Sequence, residues 1–159
     1  MKTLVVYYTR SGTTAKAANM IAAALDADKE EIKESSGRGG PIGWLRSGME
    51  ANQRKPADVK PLNADPASYD LVVVGTPVWA GTVSSPVRGF IEKHRDRLPR
   101  VAFFCTMGGD NATKTFLEME AACGAKPASI LALQKHTVDG GEAQARVTEF
   151  AEALKAQGP

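Results

Sequence analysis

Hydrophobic and polar positions follow two alternating periods along this chain. Leu4, Val5, Val6 and Tyr7 make an unbroken apolar run, the pattern of a strand covered on both faces. From Thr14 the period lengthens: Thr14, Ala18, Ile21, Ala22 and Leu25 stand at i, i+4, i+7, i+8 and i+11, one face of a helix. The next stretch, Asp28 to Glu34 (DKEEIKE), is charged and only weakly strand-like, which suits a protected sheet edge. Ser35 to Lys60 opens Gly-rich, as a loop. Ile42, Leu45 and Met49, with Trp44, then predict a short helix ending near Lys55, before Pro56. A connection of this length is where compact folds place specific functions, the plainer alternative being a surface helix with Trp44 packed beneath it.

Leu71 to Gly75 is the clearest strand, followed by a loop over 76–82. Ser84 or Ser85 then caps a helix with Pro86 at its first position and Val87, Phe90, Ile91 and His94 on one stripe. His94 reads as a helix-end side chain and not a catalyst. Val101 to Cys105 is the fourth strand, and the helix after it carries Phe116, Leu117 and Ala121 and stops near Gly124. Ile130 to Leu133 is the fifth strand. The last helix shows Ala143, Val147, Phe150, Ala151 and Leu154 at helical spacing. Five strands alternating with five helices, without repeat or linker, predict a single α/β domain over 1–159: a parallel sheet with helices on both faces, a three-layer sandwich.

Composition narrows the class. The 159 residues are 43% hydrophobic and 24% charged, ordinary for one globular domain with a real core. No apolar run is long enough to span a membrane, and the first strand starts too close to Met1 to leave room for a signal peptide. The expectation is a cytoplasmic protein without membrane insertion. Cys105 and Cys123 have neither CxxC spacing nor metal-type partners, and Cys105 closes an apolar strand as a small buried hydrophobe. No Ser–His–Asp set, carboxylate pair or metal-spaced cluster is present, so no side chain is singled out as catalytic and no metal is expected. A net charge of +2 without a long cationic block is too mild for nucleic acid. The cations do gather locally: Arg38, Arg46, Arg54, Lys55 and Lys60 outnumber Glu50 and Asp58 within 35–60.

The chemistry lies in three loops. Thr9, Arg10, Ser11, Gly12, Thr13 and Thr14 join the first strand to the first helix, aiming backbone N–H groups and hydroxyls at the positive end of a helix dipole. That is a phosphate cradle. It lacks the lysine of GxxxxGK[ST], so a metal-bound nucleoside triphosphate is not expected, and neutral hydroxyls suit a phosphate monoester held by hydrogen bonds rather than by a countercharge. The plainer reading is a turn whose Ser and Thr cap the helix. The second loop offers Trp79 as a plane for a flat heterocycle, in a turn containing Pro77 and Gly81, or else as a core side chain. The third, Thr106 to Asn111, has Gly108 and Gly109, which let backbone approach a ring edge. Thr106 and Met107 could also simply end the strand, and Asp110 reads as a cap for the following helix.

The run Val5-Val6-Tyr7-x-Thr9-x-x-Gly12-x-Thr14-x-x-x-Ala18-x-x-Ile21 resembles the signature of the flavodoxin family. The resemblance covers the whole chain in architecture and the first loop closely in motif. It implies the strand order 2-1-3-4-5, for which flavodoxin is a standard example, with FMN at the switch point between strands one and three. It also implies FMN contacts from Thr9, Arg10, Ser11, Gly12, Thr13 and Thr14, from Pro77, Val78 and Trp79, and from Thr106, Met107, Gly108 and Gly109. Two features depart from the family. Residues 106–115 hold no aromatic to cover the second flavin face, leaving it open or covered by Trp44, and the net charge is +2 where electron-carrying flavodoxins are acidic. The expectation is electron transfer through non-covalently bound FMN to a redox partner protein, as monomer or homodimer. The alternative is an FMN-dependent NAD(P)H:quinone or flavin reductase. A flavin-free binding module is a third reading, against which the intact 9–14 loop and Trp79 argue.

Overall fold

The protein is described by a computed structural model that covers residues 1–35, 41–45, 49 and 55–159. Among the described residues five strands run parallel in one sheet: β1 (Thr3–Tyr7), β2 (Asp28–Glu31), β3 (Leu71–Trp79), β5 (Arg100–Met107) and β6 (Ile130–Gln134). Their order is β2-β1-β3-β5-β6, with the two-residue β4 (Thr82–Val83) paired antiparallel to β3. With that addition set aside, the order is the one expected.

Burial on both faces explains why the central strands are apolar. In β3 the side chains of Val72 and Val74 join one core cluster, with Val6, Val87, Phe90, Phe103 and Met119. Leu71 and Val73 join the other, with Val5, Ile21, Phe104, Val147 and Phe150. The first cluster is roofed by α2 (Ser85–His94) and α3 (Thr113–Cys123), the second by α1 (Thr13–Leu25) and α5 (Gln144–Ala156). Gly75 is required where the layers meet, because a Cβ there would lie 2.0 Å from the Phe104 ring. β2 is the polar edge and stops at Glu31, short of the expected Glu34, as Ile32 turns inward and is 1% exposed.

Several expectations need correction. The third strand does not end at Gly75, and 76–82 is not a loop. Thr76 to Trp79 continue β3 and fold back through Ala80 and Gly81 onto β4. Positive φ at both turn residues (49° and 75°) gives the twist of a type I′ hairpin turn. Ser84 takes the cap position of α2, but its hydroxyl accepts from Thr76 instead of capping, and Pro86 is the second helical residue, not the first. The Thr113 N–H is received by the side chain of Asn111 at 3.0 Å, so Asn111 and not Asp110 supports the start of α3. A short helix, α4 (Lys135–Asp139), follows β6 where the periodicity showed none.

In the long connection, residues 41–45 and 49 are helical, and the rest of the expected helix falls on 46–48 and 50–54, outside the described residues. Arg38, Arg46, Glu50 and Arg54 lie there too. Trp44 is not packed beneath a surface helix: it is 63% exposed. The ends of the connection meet: Glu34 bridges Val59, Ser35 N–H donates to the Asp58 carbonyl at 3.1 Å, and Lys60 N–H donates to that of Lys33 at 2.8 Å. Among the described residues, no helix is long and apolar enough to cross a membrane.

Candidate functional site

A cavity of about 470 Å³ opens at the carboxyl ends of β1, β3, β5 and β6. Parallel α/β sheets hold ligands at this end, where the loops leave the strands. Arg10, Ser11, Thr13 and Thr14 line it from the first loop, Pro77, Val78, Trp79 and Ala80 from the hairpin, and Thr106, Met107 and Gly108 from the end of β5. Trp44 and Lys135 complete the wall.

Thr9, Gly12 and Gly109 are not on the lining, and each supports it from behind. The Thr9 hydroxyl accepts the Gly12 N–H at 3.1 Å, which closes the first loop on itself. Gly12 has φ 100°, a conformation an L side chain resists, and its carbonyl accepts the Lys16 N–H at 3.0 Å as α1 begins. The Gly109 carbonyl accepts from the Gln134 side chain at 3.1 Å, which ties the third loop to β6. Thr13 and Thr14 are the first residues of α1, so the free N–H groups of its first turn face the same space. The Thr14 and Thr106 hydroxyls share a buried hydrogen bond of 2.7 Å, joining the amino end of α1 to the carboxyl end of β5 directly.

Trp79 combines both of its expected placements. It is buried in the first core cluster and also lines the cavity. The Tyr8 ring meets it edge to face at 5.5 Å, and the Arg10 guanidinium lies 5.9 Å from the indole centroid, at the outer limit of a cation–π contact. Its strand is fixed from below. Thr76 accepts the Ser84 N–H at 3.1 Å, Thr115 donates to the Gly81 carbonyl at 3.4 Å, and Arg88 reaches Thr82 at 3.4 Å while pairing with Glu118 at 3.0 Å. The Arg88 and Glu118 side chains are only 8% and 11% exposed, so the hairpin rests on a buried ion pair between α2 and α3.

The electrostatics of the cavity are one-sided. Arg10 and Lys135 line it, and among the described residues no carboxylate does. Lys135 pairs with Asp139 within α4, and Asp139 also takes Lys16 of α1 at 3.0 Å. The hydrogen bonds from Lys135 and then Lys16 hold the Asp139 carboxyl below the usual carboxylate range. Among the described residues there is no group of side chains able to hold a metal ion. The two cysteines are buried free thiols, each pushed up to about 12 by burial, and neither lines the cavity. His94 ends α2 against Phe90 at 4.9 Å, away from the lining, and burial lowers its pKa.

Lys135 and Ala80 were not singled out from the sequence. The signal for Lys135 was topological: it directly follows the last strand, so it stands at the same carboxyl edge as the three loops. Ala80 carried none, since alanine rarely occupies a positive-φ turn position.

Among curated proteins, none matches the sequence significantly. Solved structures do. A flavoprotein from Lactobacillus acidophilus NCFM, in complex with FMN, is 25% identical, with a TM-score of 0.73 over 87% of this chain and 97% of that one. Two-electron reduced flavodoxin from Megasphaera elsdenii is 16% identical, with a TM-score of 0.62 over 96% and 98% of the two chains. Oxidised Flavodoxin 2 from Bacillus cereus is 19% identical, with a TM-score of 0.62 over 99% of each. At such identities the last two speak for the fold alone. The family model described as Flavodoxin matches residues 2–153, nearly the whole chain, and the protein therefore belongs to the flavodoxin family.

Proposed function

We propose that this protein binds FMN non-covalently in the cavity and transfers electrons through it. The observation that carries the reading is the convergence on one space of a hydroxyl and amide loop at the start of α1, the indole of Trp79, and the backbone turn at Met107 and Gly108. Ser11, Thr13 and Thr14 would hold the phosphate, Pro77 to Trp79 would wall the ring system, and Thr106 to Gly108 would meet its edge. FMN supplies the redox chemistry when bound, and the chain supplies binding, orientation and electrostatics. The FMN complex of the Lactobacillus acidophilus flavoprotein supports this choice of ligand.

Titrating the purified apo-protein with FMN tests it. The expected result is saturable one-to-one binding with a perturbed visible spectrum and quenched emission. No binding at micromolar concentrations would overturn the reading.

The electron acceptor on the first reading is a redox partner protein, met through the basic connection between 35 and 60. A second reading, an NAD(P)H:quinone or flavin reductase, is favoured by the cationic lining. Arg10 and Lys135 on the lining favour added negative charge in the cavity, which eases reduction of whatever it holds. Such a site suits a small two-electron donor or acceptor better than a low-potential shuttle. Rapid bleaching of the FMN-loaded protein by NADPH or NADH, restored by a quinone, would select the reductase. We place the protein in the cytoplasm, where its two buried thiols would stay reduced, as a monomer or homodimer.

A further inference from the structure

The phosphate cradle of loop 9–14 carries hydroxyls and amides, with Arg10 drawn toward the Trp79 indole. A second cation reaches the same cavity from outside that loop. Lys135 is the first residue of α4, immediately after β6, and it lines the cavity together with Ser11, Thr13 and Thr14. Its ammonium group and that of Lys16, in the first turn of α1, share the single carboxylate of Asp139. Two cations on one anion leave a net positive charge beside the amino end of α1, where the helix dipole already favours an anion. All three side chains are accessible: Lys16 is 62% exposed, Lys135 58% and Asp139 34%. One lysine can therefore change partner while the other keeps the carboxylate neutralised.

We propose that Lys135 is the countercharge for the phosphate of the bound cofactor. It is held at the rim by Asp139 while the cavity is free and turns to the phosphate on binding, as Lys16 stays with Asp139. This rests on the FMN reading above and adds to it an electrostatic component from the last βα junction, separate from the hydrogen bonds of the first loop. An exposed pair of this kind is modest in strength and sensitive to salt.

The test measures dissociation constants of FMN and riboflavin for wild type, Lys135→Met, Lys135→Arg and a control, Lys155→Met. The control removes the same charge near the other end of the sheet, where Arg100 of β5 meets the Leu154 carbonyl. Lys135→Met should weaken FMN about two- to fivefold at low salt, the scale of an exposed charge contact. Riboflavin, without a phosphate, should be unaffected, Lys135→Arg should restore FMN affinity, and the control should behave as wild type. The difference between wild type and Lys135→Met should shrink as salt is raised. Equal losses for FMN and riboflavin, or an equal loss in Lys155→Met, would overturn the proposal while leaving the FMN reading intact. Wild type that binds neither ligand would overturn both.

Discussion

The hydroxyl of Thr14, in the first turn of α1, sits 2.7 Å from that of Thr106, near the end of β5, and the bond between them is buried. The start of α1 and the end of β5, 92 residues apart, are thus fastened beside the cavity. Only one of the two hydroxyl hydrogens is used in this bond, so the other is available to a ligand oxygen. Thr14→Val and Thr106→Val should each cost about 1–2 kcal/mol, because each leaves a buried hydroxyl without its partner. The double variant should cost clearly less than the sum. Urea denaturation of the four proteins checks this, and strict additivity would mean that the contact contributes nothing.

Trp79 joins the site to the core, so its replacement should act on both. Trp79→Ala should lower stability by about 3–5 kcal/mol, as for a buried aromatic truncated to alanine. In the FMN-loaded protein it should also restore much of the flavin emission that the indole quenches. Trp79→Phe should keep most of the stability and lose part of the quenching. Emission that stays quenched in both variants would remove Trp79 from the flavin wall and leave Trp44, on the same cavity, as the next side chain to test.

Ala80 holds a φ of 49° in the hairpin turn, a conformation that costs an L residue about 1–2 kcal/mol. Ala80→Gly should relieve that strain. The more flexible unfolded chain offsets part of the gain, leaving a net stabilisation of about 0.5–1 kcal/mol. The readout is a rise in melting temperature at unchanged FMN affinity. A fall would show that the alanine methyl group is needed in the cavity wall.

The buried thiols of Cys105 and Cys123 predict a pH dependence. Burial raises each to about 12, above the ordinary thiol value. The folded state therefore prefers the protonated thiol, and the unfolded chain releases protons first. The associated stability is fully present below about pH 8.5, the unfolded thiol value, and is lost progressively as pH rises toward 12. Urea midpoints should decline across that range, and Cys105→Ala should flatten part of the decline. Both thiols should resist alkylation at neutral pH until the protein unfolds.

What the sequence revealed depended on how local each determinant was. β1, β3 and β5 were readable because burial on both faces demands unbroken apolar runs, and the Thr9 to Thr14 loop because its hydroxyls cluster in sequence as well as in space. The hairpin was hidden. Pro77 and Gly81 look like strand breakers, while the pairing of Val78 with Val83 and Trp79 with Thr82 is fixed by the turn and the helices beneath it. Helix α4 has five residues, too few to show a period, so the cation it brings to the cavity went unseen. The shift from Asp110 to Asn111 at the start of α3 is a matter of one backbone step between two residues of similar capping ability.

The bonds that join Lys33 to Lys60 and Ser35 to Asp58 have a consequence for how this fold can change. They hold the two ends of the long connection side by side, and the Ala57 N–H adds a bond to the Ser85 carbonyl at 2.9 Å. Lengthening a loop whose ends are already joined costs little entropy, so a longer insert there would add little to the cost of folding. The segment is in effect a socket. An insert of different length or surface would leave the strand registers as they are, and Trp44 shows that this segment reaches the cavity. A single scaffold could in this way be fitted to different partners by changing one insert, and the change would also reshape the part of the cavity wall that Trp44 supplies.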